Sequence, residues 1–567
     1  MRSNALRGRT IGRRRFLAES SIALFGASTV LGAFGRTTRG ESQFIEVETS
    51  CGRVRGAQAD GLVTFKGIPY AGSVSGSNRF KAGPPVQPWT GVREALQLGA
   101  PSMQPNQNRP NEPPPAEDCL FLNVWTPAAD GRKRPVMFYS HGGGFTTGSA
   151  GAAYQDGGRL ASTCDVVVVA TNHRLGLMGY LYLGHLGGEE YATSGNQGLL
   201  DIRDGLKWVT DNIERFGGDP HNVMIFGESG GGAKTSCLYA LPSAAPYFNK
   251  ASIESGPAIR LYPVESAMAT TGMVLKQLGL EQSQWRRLID VPADRLLDVQ
   301  LALGQNRPGP LMQNGGRRGF SANTTPGGFG PVLDGRMLRD HPFDPTPPAI
   351  SRDKPLIVGY NRDEMNFFFA QNRDTDVYAL TDTTLKMRLE RELGPSGAAV
   401  LTAYQKSRPD ASPADLYVAI ASARFAGSGS IVMAERKYAQ HGAPVYMYVF
   451  THESNRLIPG TNHTFGAAHA GEIVYKFNNV QPAGAGQSGQ PPSGGGAFAD
   501  TRPESVQTAR NMSEFWSTFA RTGRPGAQGQ PAWPAYTTEQ RATMFIDAQC
   551  RVVNDPFNLE RQIWDSI

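Results

Sequence analysis

Cysteine and histidine are scarce in this sequence, and their spacing is not that of a metal site. The 567 residues include five cysteines and nine histidines. No two cysteines form a C-x-x-C pair, and no histidines cluster at the spacing of zinc ligands. We therefore expect neither a zinc site nor a disulfide framework, and the odd cysteine count leaves at least one thiol unpaired within the chain. A chain of this length can bury a large core without such crosslinks.

Net charge is also small once the N-terminal segment is set aside. The whole chain carries a formal charge of +6, and residues 1–40 hold eight arginines against a single acidic residue, Glu19. That segment accounts for +7, which leaves −1 on all the remaining residues. A basic surface that binds nucleic acid is therefore not expected, and nucleic acid is excluded as a partner.

Long apolar runs are lacking, with one exception near the N-terminus. The sequence Arg-Arg-Arg-Phe-Leu at residues 13–17 precedes an apolar run at residues 21–34. A basic segment followed by a run too short for a comfortable membrane span is typical of a cleavable export signal, and the Arg-Arg-x-Phe-Leu order resembles bacterial twin-arginine signals. We predict that residues 1–40 are an export signal and that the mature protein is periplasmic or secreted, with no stable membrane span. An uncleaved anchor or a basic tail is the alternative.

The spacing of apolar residues predicts an α/β fold that begins with antiparallel strands. Residues 44–70 alternate apolar and polar positions, broken by glycines, which is typical of strands joined by tight turns. From residue 119 onward, short apolar runs alternate with stretches of helical periodicity. These runs are LFLNVW, PVMFYS, DVVVVA, NVMIF, PLIVGY and PVYMYVF. Strand alternating with helix predicts a large, mostly parallel central sheet flanked by helices on both faces.

Two segments interrupt this pattern. Residues 265–349 mix helix-like pieces with loops rich in glycine and proline, and we predict that they form a lid inserted into the sheet domain. Residues 481–496, QPAGAGQSGQPPSGGG, have the composition of a flexible surface loop. The sequence has no internal repeat, and we predict a single domain over residues 41–567.

The most informative motif is GESGG at residues 227–231, between the strand-like NVMIF and a helix-like stretch. A G-x-S-x-G sequence in that setting is typical of a nucleophile elbow, in which glycines permit a strained turn that exposes the hydroxyl of Ser229. A plain glycine-rich turn is the alternative. A phosphate-binding loop is disfavoured, because its lysine must directly follow the second glycine, whereas Ala233 separates Gly232 from Lys234.

A serine nucleophile needs a base to take its proton and donors to stabilise the oxyanion that forms. The sequence HGGGF at residues 141–145, directly after the strand-like PVMFYS, is a candidate source of these donors. Successive glycines let main-chain N–H groups approach a substrate oxygen closely. A flexible loop is the alternative, but the position of the glycines after a buried strand and upstream of Ser229 favours an oxyanion site.

The local pattern leaves the acid and the base open. In proteins with this elbow, the acid follows the serine in the chain and the histidine comes last. Asp363 and Glu364 both follow the strand-like PLIVGY, and the pattern does not choose between them. Four histidines lie farther downstream, and His452, just after the strand-like PVYMYVF, ranks level with His469.

Ten sequence blocks make the chain resemble the type-B carboxylesterases, the family of bacterial para-nitrobenzyl esterases, animal carboxylesterases and cholinesterases. The blocks run in order from about residue 66 almost to the C-terminus: FKGIPYA, EDCLFLNVWTP, HGGGF, NHRLG, GNQGLLD, FGGDP, FGESGGG, FGPVLDG, GYNRDE and GAAHAGE. The resemblance implies the α/β-hydrolase fold and hydrolysis of carboxylic esters through an acyl-enzyme intermediate.

The resemblance also chooses among the open catalytic candidates. The FGES block implies Ser229 as nucleophile, the N-x-D-E pattern implies Glu364 rather than Asp363 as the acid, and the G-x-x-H-x-x-E pattern implies His469 as the base. The local pattern alone could not make these choices.

The same blocks imply an oxyanion hole made by the main-chain N–H groups of Gly143, Gly144 and Gly230. Glu228 and Glu472 belong to these motifs as well, and we expect them to support the site structurally or from behind the catalytic side chains.

Departures from the family pattern fall close to these residues. Gly230 stands where the family usually has alanine, and Met365 stands where it usually has glycine. Cys119 lacks the partner cysteine that many members have, which is replaced near residues 102–103. Residues 106–117 contain no aromatic side chain, whereas cholinesterases place a cation-binding tryptophan there, so a choline ester is not expected as substrate.

We predict a serine hydrolase that cleaves small-molecule carboxylic esters with no cofactor and no metal. One alternative is a catalytically inactive adhesion or binding member of the same fold, which the complete set of Ser229, Glu364 and His469 argues against. The other is a hydrolase of lactones, carbamates or amides, which the sequence leaves open because loops of unknown position shape the pocket.

Overall fold

The computed structural model describes residues 43–105, 109, 111–305, 325–480 and 500–567. These residues belong to one compact unit. The predicted export signal and the predicted loop at residues 481–496 lie outside the described residues.

A large mixed sheet forms the centre of the protein. Among the described residues, thirteen strands hydrogen-bond in this sheet, and four more form two small two-stranded sheets. In chain order the strands are β1 (Gln43–Thr49), β2 (Gly52–Ala59), β3 (Leu62–Pro69), β4 (Val92–Glu94), β5 (Phe121–Thr126), β6 (Arg134–Ser140), β7 (Val167–Thr171), β8 (Gly218–Glu228), β9 (Lys250–Glu254), β10 (Tyr262–Pro263), β11 (Val332–Leu333), β12 (Leu356–Asn361), β13 (Val445–Phe450), β14 (Ser454–Leu457), β15 (Thr464–Gly466), β16 (Ala542–Ile546) and β17 (Arg551–Asn554).

The order of strands in the large sheet is β1-β2-β3-β5-β7-β6-β8-β9-β12-β13-β16-β17, with β4 beside β2. The strands from β7 to β16 in this order are parallel to one another. Antiparallel pairs extend the sheet at both ends. The predicted antiparallel N-terminal strands and mostly parallel centre are confirmed.

Helices cover both faces of the sheet. In chain order they are α1 (Gly158–Cys164), α2 (Gly176–Tyr180), α3 (Gly184–Gly187), α4 (Gln197–Asn212), α5 (Gly230–Tyr239), α6 (Val264–Gln277), α7 (Ala293–Gln305), α8 (Met365–Gln371), α9 (Asp382–Leu393), α10 (Gly397–Ser407), α11 (Pro413–Ser422), α12 (Ser428–Tyr438), α13 (Ile473–Lys476), α14 (Pro503–Thr522) and α15 (Asn558–Ser566).

The apolar runs of the central strands supply two cores, one on each face of the sheet. Successive side chains of a strand point to opposite faces, so Val167 and Val169 of β7 enter one core and Val168 enters the other. In the same way, Phe138 and Met137 of β6 lie in different cores. All of these side chains are fully buried, which explains why the runs are continuously apolar and not alternating.

One helix among the described residues is long and apolar enough to span a membrane by those two criteria. It runs over Pro413–Tyr438 and joins α11 to α12 through a π-helical turn at Ala423–Gly427. Most of its apolar stretch is buried, and α12 packs against β12 and β13.

The predicted lid segment contains α6, α7, a 3₁₀ helix at Gln282–Ile289, and β11, which pairs with β10. Residues 306–324 of this segment lie outside the described residues. The movement that the word lid implies stays a prediction.

A buried ion pair ties the segment after His469 to the sheet. The ammonium of Lys476, at the end of α13, contacts the carboxylate of Glu254, at the end of β9, and both side chains are fully buried. Glu254 Oε1 also accepts hydrogen bonds from Trp516 Nε1 and Ser252 Oγ, each at 2.7 Å. Removing one member of such a pair leaves the other as an unpaired charge in the core.

We expect Lys476→Met to lower the free energy of unfolding by roughly 3–5 kcal/mol, because it leaves Glu254 buried and unpaired. Glu254→Gln should lower it by a smaller amount, because Lys476 still has the buried carboxylate of Glu472 at 3.8 Å, and the double variant should lose clearly less than the two single variants together. Urea unfolding of the wild type and the three variants checks this. Losses that simply add in the double variant would contradict the coupling.

Candidate active site

Ser229 lies in the sharp turn between β8 and α5. Its backbone has φ 57° and ψ −122°, a conformation that is strained for a residue with a side chain. The turn also needs glycine at Gly231, since a Cβ there would lie 2.0 Å from the carbonyl oxygen of Ser140 at the end of β6. The sequence motif therefore forms the strained strand-to-helix turn that a nucleophile elbow requires.

The structure brings the three predicted catalytic side chains together. His469 Nε2 lies 2.8 Å from Ser229 Oγ, and His469 Nδ1 lies 2.6 Å from Glu364 Oε2. The other oxygen of Glu364 accepts a hydrogen bond from the main-chain N–H of Asn361 at 2.9 Å. Glu364 is fully buried and His469 is 3% exposed, so the hydrogen bond between them is shielded from water. A continuous path of hydrogen bonds connects the serine hydroxyl to a buried carboxylate.

These side chains converge because of the parallel sheet. The strands β6, β8 and β12 run in the same direction, so the loops at their carboxyl ends share one edge of the sheet. Ser229 follows β8, and Glu364 lies three residues beyond the end of β12. His469 follows β15 and meets Glu364 through a main-chain hydrogen bond of 3.3 Å from its own N–H to the Glu364 carbonyl oxygen.

Asp363, the other acid that the local pattern allowed, points elsewhere. Its carboxylate binds the Arg362 guanidinium at 2.8 Å and accepts the main-chain N–H of Ala467 at 2.9 Å. Asp363 therefore fastens the segment that leads to His469 and does not contact the imidazole.

His452 is also separate from Ser229. Its Nδ1 lies 2.7 Å from Asp547 Oδ1, and its Nε2 lies 2.9 Å from Ser505 Oγ. His452 thus joins the end of β13 to the segment after β16 and to the first turn of α14. The family pattern, and not the position after a strand, distinguished it from His469.

Three main-chain N–H groups beside Ser229 are available to a ligand. Gly143 and Gly144 have φ of 86° and 63°, which glycine adopts easily, and Gly230 is the first residue of α5. Within the described parts of the chain, none of the three N–H groups has a hydrogen-bond acceptor. A Cβ on Gly144 would meet nothing within 4 Å, so this segment faces open space and not the core.

Close packing explains one departure from the family pattern. A Cβ on Gly230 would lie 2.1 Å from the carbonyl oxygen of Gly144. Because the two segments of the predicted oxyanion hole touch here, this chain has no room for the usual alanine.

Glu228 lies closer to the imidazole than the sequence suggested. Glu228 Oε1 is 3.3 Å from His469 Nε2, and burial raises the pKa of Glu228 well above its usual 4.5. Burial alone would lower the pKa of His469, but the carboxylates of Glu228 and Glu364 outweigh it and raise that pKa from 6.5 to about 9. Beside Glu228 and Glu364, His469 therefore stays protonated to higher pH than an isolated histidine would.

Sequence reasoning missed the aromatic surroundings of His469. The ring of Phe368 lies 4.8 Å from the imidazole and the ring of Phe425 lies 5.1 Å from it, measured between centroids. Phe368 is in α8, directly after the GYNRDE block, but the apolar run MNFFFA carried no sign of which ring would face the histidine.

Asn361 is a second residue whose part was missed, although the N-x-D-E block contains it. Its side-chain Nδ2 donates to Glu472 Oε2 at 2.6 Å and to the carbonyl oxygen of Ala468 at 2.8 Å. Together with its main-chain bond to Glu364, these contacts let Asn361 hold the acid and the segment next to His469 at once. Glu472 lies behind the site, as the sequence suggested for it.

This arrangement can move a proton from a serine hydroxyl to an imidazole while three N–H groups receive a negatively charged oxygen. These groups lie together at one edge of the sheet, where the side chains of Glu364 and His469 are buried.

Comparison with known proteins identifies the family of the chain. The profile of the carboxylesterase family matches residues 43–564. The para-nitrobenzyl esterase of Bacillus subtilis is 34% identical over 525 residues, which cover 91% of this chain and 97% of that protein. Phenmedipham hydrolase of Pseudarthrobacter oxydans is 30% identical over 526 residues, which cover 89% and 96%. The crystal structure of a carboxylesterase from Geobacillus stearothermophilus is 37% identical, has a TM-score of 0.76, and matches 92% of this chain and 99% of that one. The chain therefore belongs to the carboxylesterase family and is a carboxylic-ester hydrolase.

Proposed function

We propose that Ser229 is the nucleophile, that His469 is the general base and acid, and that Glu364 orients His469 and stabilises its imidazolium form. The observation that carries this proposal is the hydrogen-bond path from Ser229 Oγ through the imidazole to Glu364 Oε2, with distances of 2.8 and 2.6 Å. A serine hydroxyl is a weak nucleophile without such a partner, and the path supplies one in the geometry that proton transfer requires.

Acylation begins when Ser229 Oγ attacks the ester carbonyl carbon and His469 Nε2 takes the hydroxyl proton. The carbonyl oxygen becomes an oxyanion, which accepts hydrogen bonds from the N–H groups of Gly143, Gly144 and Gly230. Nε2 then gives its proton to the leaving oxygen. The alcohol departs and the acyl group stays on Oγ.

Deacylation repeats these steps with water. His469 Nε2 takes a proton from a water molecule as its oxygen attacks the acyl carbon, and the same N–H groups hold the second oxyanion. When this intermediate collapses, the proton returns to Oγ of Ser229 and the carboxylic acid is released. Every proton that the cycle moves passes through Nε2.

We expect Ser229→Ala to lower kcat for p-nitrophenyl acetate by several orders of magnitude, on the order of a millionfold. Organophosphate labelling should be lost with it. Ser255→Ala is the matched control, because Ser255 is buried just after β9 and its hydroxyl has no hydrogen-bond partner among the described residues. Near-normal turnover by a folded Ser229→Ala variant, judged by circular dichroism, would refute the assignment.

The buried carboxylate beside His469 should set the pH dependence of the reaction. His469 must be neutral to accept the serine proton, so activity falls as pH drops through its pKa. Glu228 raises that pKa. Glu228→Gln should therefore move the acidic limb of kcat/KM to lower pH, by roughly one unit.

The measurement is a pH profile of kcat/KM for the wild type and the variant. Glu390→Gln serves as the control, since Glu390 lies on the exposed side of α9. An acidic limb that stays in place in Glu228→Gln would show that Glu228 carries no charge in the working pH range.

We infer from the sequence that residues 1–40 direct export of the enzyme to the periplasm or medium by a twin-arginine route. The support is the Arg-Arg-x-Phe-Leu order at residues 13–17 and the short apolar run after it. Such a route carries folded proteins, which suits a chain that needs no disulfide framework to fold.

Replacing Arg13 and Arg14 by lysine should retain the full-length enzyme in the cytoplasm of a bacterial host, because twin-arginine recognition requires the guanidinium pair. Cell fractionation followed by esterase assay measures this. Replacing Arg7 and Arg9 by lysine changes the same number of arginines upstream of the motif and should leave export intact. Equal export of both variants would contradict the proposed route.

A further inference from the structure

A buried lysine lies directly behind the glycine loop of the active site. Lys234 belongs to α5, the helix that begins just after Ser229, and its side chain is fully buried. Its ammonium donates a hydrogen bond of 2.9 Å to the main-chain carbonyl of His141. No carboxylate of the described residues lies within 4.0 Å of this ammonium. Burying a cation without an anionic partner destabilises the folded state, so Lys234 lowers the stability of the fold at this position.

The two histidines nearest to Lys234 do not offset its charge. His141 and His173 stack with their ring centroids 4.4 Å apart, at the ends of β6 and β7. Burial lowers the pKa of both well below 6.5, and the nearby Lys234 ammonium lowers both further. Both imidazoles are therefore neutral at neutral pH.

Four other groups lie near the ammonium or near the peptide that it binds. Cys237, one turn farther along α5, is a thiol whose pKa burial raises above 9.0, and the ring of Phe145 lies 5.8 Å from Lys234 Nζ. Arg109 adds positive charge near His141 and lowers its pKa as well. Glu228 also approaches this loop, since a Cβ on Gly142 would lie 3.1 Å from its Oε2, and its Oε1 lies 3.3 Å from His469 Nε2.

The hydrogen bond from Lys234 connects the ammonium to the reacting serine. The carbonyl of His141 and the nitrogen of Gly142 form one peptide group, and a Cβ on Gly142 would lie 3.5 Å from Ser229 Cβ. Gly143 and Gly144, which carry two of the proposed oxyanion donors, follow directly. The Lys234 ammonium thus binds the peptide group that directly precedes these donors and that lies next to Ser229.

We propose that Lys234 is a positioning residue for ester hydrolysis, whose ammonium holds the His141 peptide and stabilises, through the glycine loop, the negative charge that develops on the substrate carbonyl oxygen. The inference rests on the proposed function of Ser229 and of the glycine loop. A charge acts strongly in a buried site, and here the anionic partner of Lys234 is the transition state itself. Such stabilisation is greater in the transition state than in the free enzyme, so it raises kcat and leaves KM nearly unchanged.

The sign of the pH dependence follows from the state of the ammonium. Burial lowers the pKa of Lys234 from 10.5 to about 7. Its positive charge is present at lower pH and is lost as pH rises through that value. His469 behaves in the opposite way, since it must lose its proton before the reaction can start, so the two effects can be separated in a pH profile.

The test compares two neutral variants. Lys234→Met removes both the charge and the hydrogen bond, whereas Lys234→Gln removes the charge and keeps a donor for the His141 carbonyl. We expect both variants to lower kcat for p-nitrophenyl acetate about tenfold at about pH 6, with KM changed less than about twofold. Inhibition by a trifluoromethyl ketone, which forms an oxyanion on the serine, should weaken by the same factor. Both deficits should shrink toward about pH 9, where the wild-type lysine is neutral.

The matched control is Lys250→Met. Lys250 is also a buried lysine, and burial lowers its pKa to about 8, but it begins β9 at the opposite edge of the sheet and donates to the carbonyl of Ala520 at 2.9 Å. The ratio of its kcat to that of the wild type should not change with pH.

Three outcomes separate the possibilities. If Lys234→Gln matches the wild type while Lys234→Met is impaired, the residue is only a structural hydrogen-bond donor and the proposal fails. A deficit that is the same at every pH also overturns it. If Ser229→Ala remains active, the proposed nucleophile itself is wrong, which is a different failure.

Should neither variant fold, the wild type labelled with carbon-13 at lysine Cε answers the question. One resonance should titrate with a midpoint near 7, and that midpoint should rise when an anionic phosphonate adduct occupies Ser229. The proposal is overturned if no lysine midpoint moves on formation of the adduct.

Discussion

The hydrogen bond between the buried carboxylate of Glu364 and His469 is the interaction on which the rest of the site depends. It is 2.6 Å long, and it fixes which nitrogen of the ring faces Ser229. Because Glu364 is fully buried, its charge is tolerable only while hydrogen bonds satisfy it. The main-chain N–H of Asn361 and the imidazole of His469 supply these hydrogen bonds, one to each carboxylate oxygen, so the packing around the acid also fixes the position of the base.

The parallel sheet brings residues that are distant in the chain to one place. Ser229, Glu364 and His469 are far apart in the chain, yet each lies beyond the carboxyl end of a central strand or in a loop that returns to it. The ion pair of Lys476 with Glu254 then ties the segment after His469 to β9, beside the strand that leads to Ser229. Buried polar contacts therefore hold the loops of the site in place.

The sequence predicted the features that follow rules of local geometry. It did not predict the features that depend on contacts between distant parts of the chain. Strand runs, the antiparallel start and the elbow at Ser229 followed from periodicity and glycine placement. The choice of Glu364 over Asp363 required the family pattern, because two adjacent acids share one local environment and differ only in where the turn after β12 points each side chain. The closeness of Glu228 to His469, the rings of Phe368 and Phe425, and the isolation of Lys234 depend on packing between distant segments, which no spacing rule records.

Buried charges of opposite sign lie on the two sides of Ser229, and this division matches the charge pattern of the proposed reaction. On the histidine side, Glu228 and Glu364 favour an imidazolium and raise the pKa of His469. On the side of the glycine loop, Lys234 is the charged group behind the main chain that would receive the oxyanion. The tetrahedral intermediate of ester hydrolysis carries these two charges at once, positive on the imidazole and negative on the carbonyl oxygen. Burying both sets of charge destabilises the free enzyme. That destabilisation is offset only when the imidazolium and the oxyanion are present together, so the site is electrostatically preorganised for the transition state.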